Sequence, residues 1–121
     1  MKNHKKATTI KSTIASDKSL GTAINVENYE AGVLITPAAW SDANIGFKVS
    51  FVDDGTYVVL AVQDGTVANI AGIPTAESRA FKLPDEFFSA VSVKPFSKHK
   101  TGDTVTAVNQ AAARTLTFIL Y

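Results

Sequence analysis

Apolar residues recurring at every second position constrain this chain more than any other feature. Ile45, Phe47, Val49 and Phe51 alternate with Gly46, Lys48 and Ser50, the period of a strand with one buried face. Near the end of the chain, Leu116, Phe118 and Leu120 alternate with Thr115, Thr117 and Ile119. Shorter stretches repeat the pattern: Val91 and Val93 about Ser92 and Lys94, Phe81 and Leu83 about Lys82, Ile24 with Val26, Val33 with Ile35, and Ile10 and Ile14 about Ser12. Tyr57–Val62 is apolar on both faces, which predicts a central strand or one lying against a neighbouring subunit.

Turn chemistry separates these runs. Asp54-Gly55 and Asp64-Gly65 each stand between apolar segments, and Asp-Gly is a strong hairpin signal. Gly102-Asp103 closes the polar loop that begins at Ser97. Helix is scarce: one turn is expected after Pro37, and a better one over Leu83–Val91, with Pro84 at its start and acids in its first turn. Short strands at this spacing predict an all-β fold, an antiparallel β-sandwich of about eight strands, jelly-roll-like.

A chain of 121 residues is one domain's worth. It has no cysteine, so disulfides, thiolate metal sites and thiol nucleophiles are excluded and packing or association must hold the fold. Lys2, Lys5, Lys6, Lys11 and Lys18 face only Asp17 in the first eighteen residues of a chain whose net charge is +1. The division expected is a basic extended N-terminal arm over residues 1–18 and a sandwich domain over 19–121. Stretched out, such an arm would reach about 60 Å, further than the domain is wide. The basic start lacks the apolar run of a signal peptide, and no stretch is long enough to span a bilayer. Synthesis and retention in a cytoplasm, with no membrane partner, are expected.

The polar constellations point away from catalysis. His4 and His99 have no carboxylate beside them in sequence, and neither a Gly-x-Ser-x-Gly elbow nor His-Glu-x-x-His occurs. Asp53 and Asp54 read as turn residues before Gly55 rather than as an acid–base pair or calcium ligands. Trp40, the single tryptophan, is expected to plug one end of the sandwich. The alternative is a ligand platform with Tyr29 and Tyr57, since exposed aromatic rings stack on sugars. Lys98, His99 and Lys100 are expected as exposed loop contacts. They lack interleaved aromatics, and nucleic acid is not an expected partner. Asn109, Gln110 and Arg114 stand just before the last strand, where they would pin a neighbouring loop. No cofactor is expected.

The Pro-Ala-Ala-Trp turn at Pro37–Trp40, the strand at Phe47–Ser50, the Asp54-Gly55 turn and the terminal Gln110–Leu116 segment together resemble a family of small structural proteins of tailed bacteriophages. The resemblance covers roughly residues 13–121. The lysines of the loop from Phe96 to Gln110 depart from the Ser-Gly-rich loop of that family. What the resemblance implies is a non-enzymatic virion protein, assembled in the bacterial cytoplasm. It would be a capsid decoration or cement protein, homo-oligomeric and trimeric, binding capsid or other virion proteins through Lys2, Lys5, Lys6 and Lys11. The alternative is a glycan- or receptor-binding module of a head or tail fibre, or a tail or neck adaptor.

Overall fold

In a computed structural model, which describes residues 6–52, 55–101 and 104–121, the alternating segments become strands in two antiparallel sheets. In chain order they are β1 (Thr8–Ile14), β2 (Ile24–Asn25), β3 (Gly32–Thr36), β4 (Asn44–Ser50), β5 (Val58–Val59), β6 (Arg79–Lys82), β7 (Ser92–Lys98) and β8 (Arg114–Leu120). The first sheet has the order β1-β8-β3-β6 and the second β2-β7-β4-β5. The order has a simple origin. First pairs with last, β1 with β8, then β2 with β7, β3 with β6 and β4 with β5. That is one long antiparallel ribbon, and rolling it up brings β3 beside β8 and β4 beside β7. The chain is an all-β sandwich with jelly-roll strand order.

In β4 and β8 the inward residues are those the alternation marks. In β3 the faces are reversed: Leu34 is buried and Val33 and Ile35 lie half-buried on the outer side, because the register sets Leu34 opposite Phe118. Ile45, Phe47 and Val49 from β4 and Leu116, Phe118 and Leu120 from β8 are buried. Between the sheets sits Phe87, carried by a 3-10 turn at Asp85–Ser89 that follows Pro84. Its ring meets Phe47 edge-on at 5.2 Å and stacks on Phe118 at 5.8 Å. One aromatic column therefore ties the two sheets together, a geometry worth about 0.5–1.5 kcal/mol per pair beyond its area. The Asp64-Gly65 turn forms as expected, with Gly65 at φ 90° and an antiparallel bridge between Ala61 and Val67. The Asp64 carboxylate accepts from the hydroxyl and amide of Thr66 at 2.6 and 2.9 Å, which holds its pKa below the usual carboxylate value.

Four further expectations are corrected by the structure. The arm does not extend to residue 18: Thr8–Ile14 is a strand paired along its whole length with β8, and Ile14 is fully buried. The sandwich therefore begins at Thr8, because the alternation of Ile10, Ser12 and Ile14 satisfies an inward face. Of the two readings of Tyr57–Val62, the central strand is corrected: β5 is the edge of its sheet and Val58 is half exposed. Residues 60–62 turn back through hydrogen bonds to Thr66 and Ala68 rather than pairing with a further strand. The alternation of β4 stops at Ser50. The Ser50 hydroxyl donates to the carbonyl of Val52 at 2.7 Å, and this tight bend leaves Phe51 54% exposed. Finally, Ser97 and Lys98 belong to β7, not to a loop. Lys2, Lys5, His4, Asp53, Asp54 and Asp103 lie outside the described residues.

Candidate functional site

The outer face of the second sheet gathers charge and aromatic rings that are far apart in sequence. Because Ile45, Phe47, Val49 and Val93 point inward, the residues between them point out. The register places Ser50 opposite Ser92, Lys48 opposite Lys94, Gly46 opposite Phe96 and Asn44 opposite Lys98. Two lysines directly across a strand pair repel. Each ammonium is drawn instead over a ring, Lys48 Nζ to 5.7 Å from the Phe96 centroid and Lys94 Nζ to 4.3 Å from that of Tyr57. Such cation–π contacts are worth about 0.5–1 kcal/mol at exposed sites. The Tyr57 hydroxyl hydrogen-bonds the hydroxyl of Ser92 at 2.7 Å, which fixes the ring beneath Lys94.

Phe96 faces outward yet is only 3% exposed, and Gly46 explains how. A β-carbon on Gly46 would come within 2.6 and 2.7 Å of the Phe96 ring and 3.1 Å of Lys98 Cδ. The bare backbone is the floor on which ring and lysine stem lie. Gly46→Ala is expected to destabilise by about 1–3 kcal/mol through overpacking and to lift Phe96 away from Lys48. Urea denaturation measures the loss, and an unchanged midpoint would mean that the ring yields freely.

Lys98 is not a surface contact. It is fully buried, and its ammonium donates to Asn69 Oδ1 at 3.2 Å and to the carbonyl of His99 at 3.1 Å. Burial of an ammonium is tolerated only when such oxygens surround it. His99 and Lys100 are exposed. Lys100 holds both carboxylate oxygens of Asp42 at 2.9 and 3.1 Å. That ion pair joins the end of β7 to the loop that carries Trp40.

Trp40 is 1% exposed, and its indole N–H donates to the carbonyl of Ala43 at 3.0 Å. It sits where the chain crosses from β3 in one sheet to β4 in the other, and there it closes the sandwich. Ala39, at φ 63°, turns the chain ahead of it. Gln110, fully buried, locks the turn from the other side. Its side-chain oxygen accepts from the amide of Ser41 at 2.9 Å, and its amide nitrogen donates to the Ser97 hydroxyl at 2.9 Å. Tyr29 is half-buried against the core and Tyr57 lies on the outer sheet face, so the three aromatics make no common platform. Lys6 and Lys11 are exposed, with Lys11 on β1.

Sequence reasoning placed Lys48 and Lys94 on polar faces of their strands but had no means of setting one opposite the other. Among the described residues the ion pairs are Arg79 with Glu77, Lys82 with Asp85 and Lys100 with Asp42, so neither Lys48 nor Lys94 is matched by a carboxylate. Among the same residues no group of three or more histidine, aspartate or glutamate side chains is arranged to hold a metal ion. No protein-family model, curated protein or solved structure matches this chain.

Proposed function

We propose that this chain is a non-enzymatic structural protein of a bacteriophage virion, a decoration protein that binds the head surface. The observation that carries the reading is the outer face of the second sheet. There Lys48 and Lys94 are supported by Phe96 and Tyr57 and, among the described residues, are unmatched by carboxylates. A rigid, pre-ordered cationic face suits an acidic protein surface, because little side-chain freedom remains to be lost on docking. The sequence resemblance at Pro37–Trp40, Phe47–Ser50 and Gln110–Leu116 supports the same reading. So does the jelly-roll architecture, which recurs in capsid and lectin domains, although likeness of fold alone assigns no function. In this mechanism the lysines at the start of the chain and the sheet face grip different points of the shell. Each raises the effective concentration of the other. A sugar platform built on Trp40 is the weaker reading, since that ring is buried.

Co-sedimentation with emptied heads of the cognate phage tests the proposal. Wild-type protein should pellet at fixed stoichiometry and be released by salt, since exposed charge contacts are screened. Lys48→Glu combined with Lys94→Glu should weaken binding by roughly tenfold or more while the melting temperature stays within a few degrees. Failure of the wild-type protein to bind heads, or equal binding by the charge-reversed variant, would overturn it.

A further inference from the structure

The first sheet ends in a long strand whose outer edge is half closed. Both main-chain groups of Thr13 face away from β8. Its N–H donates to the Thr22 hydroxyl at 3.1 Å, and its carbonyl accepts from the amide of Thr22 at 3.2 Å. Main-chain groups in an antiparallel pair point alternately toward and away from the partner. The N–H and C=O groups of Lys11 and Thr9 therefore face the same outer side as those of Thr13. No described residue takes them, and both residues are exposed. The other edge strands are shorter: β2 and β5 have 2 residues each and β6 has 4, against 7 in β1. The open stretch of β1 at Thr9 and Lys11 is a template for another strand.

We infer that this edge pairs with the β1 edge of a second copy of the chain, antiparallel about a two-fold axis at Ile10. In that register Thr9 faces Lys11 of the other copy and Lys11 faces its Thr9, so the open main-chain groups of these two β1 residues find their complements. The chain leaves the sheet at Ala7, where the other copy's Thr13 is already held by Thr22. The side chain of Ile10 points inward opposite Phe118 and is only partly buried. Across the axis the two Ile10 side chains lie on the same face at cross-strand distance and cover each other. A register centred on Lys11 would set two ammonium groups opposite one another and run Thr9 into the stretch already held by Thr22. The contact is isologous and closes at two copies. It yields a continuous sheet across the pair and does not generate a trimer. It is independent of the virion reading.

Light scattering over a wide concentration range, together with amide hydrogen exchange, tests the pairing. The mass should double as concentration rises, and the amides of Thr9 and Lys11 should become protected in step. The amide of Ile10, already bonded to β8, should not change. Lys11→Pro, which removes one edge donor, should stay monomeric with wild-type circular dichroism. A mass that stays monomeric, or an oligomer in which the Thr9 and Lys11 amides exchange as fast as in the monomer, would refute the proposal. Should Lys11→Pro fail to fold, the exchange result on the wild-type chain decides.

Discussion

Deleting residues 1–18 is expected to unfold the domain rather than trim an appendage. The deletion takes away β1, which is in register with β8 from Thr8 opposite Leu120 to Ile14 opposite Arg114. It also removes Ile14 and Ser12, both fully buried. Ile14 alone accounts for about 1.5–3 kcal/mol of apolar burial. The segment after β1 loses its anchor as well, because the Ser12 hydroxyl donates to the carbonyl of Thr22 at 2.6 Å. What remains would expose β8, a central strand, as a new sheet edge prone to aggregation. The expected loss exceeds about 5 kcal/mol, comparable with the whole stability of a small domain. Circular dichroism and a thermal melt read the outcome directly. A cooperative melt within a few degrees of the full chain would show that β1 is dispensable.

Trp40→Ala is the second large effect. Truncating a buried tryptophan costs about 3–5 kcal/mol through lost burial and the cavity left behind. Here the carbonyl of Ala43 also loses its donor, a further penalty of about 1–3 kcal/mol if no water replaces it. The melting temperature should fall by about 10 °C or more. Trp40→Phe retains most of the ring volume but not the N–H, so it should fall between the two and isolate the hydrogen bond. A folded Trp40→Ala variant with wild-type stability would show that the indole is not a structural plug. The damage should spread to Ser41, whose amide is held by Gln110. Amide exchange at Ser41 therefore offers a local readout distinct from global unfolding.

Two of the corrected expectations, the arm and the Lys98 loop, share one cause. Residues 1–18 are rich in lysine, serine and threonine, and composition there outweighed the weak alternation of Ile10, Ser12 and Ile14. Ser12 is buried because its hydroxyl has a carbonyl partner, which no hydrophobicity pattern registers. The charge of Lys98 predicts an exposed loop, yet Asn69 and the carbonyl of His99 supply the oxygens that let it be buried. Trp40 was legible as a plug, since small residues before a single large aromatic leave little else for it to do. Gln110 was legible as a pinning residue but not as the partner of the Trp40 turn.

Alternation by itself determined the strands and most of their inward faces, Phe47 and Val49, Phe118 and Leu120. In the apolar run over residues 33–35 only the pairing of Leu34 with Phe118 decided which face turned inward. Period two is a property of neighbouring residues, so a linear chain displays it. Tertiary structure alone decided which strands lie side by side. The Thr13 and Thr115 hydroxyls meet at 3.3 Å across 102 residues of sequence, and Lys48 stands opposite Lys94 only because rolling the ribbon brings β4 beside β7. The candidate face, with its paired lysines, its rings and the glycine beneath Phe96, is made by those long-range contacts. It came into view only when the sheets were assembled, because no local pattern encodes the register between strands that distant turns bring together.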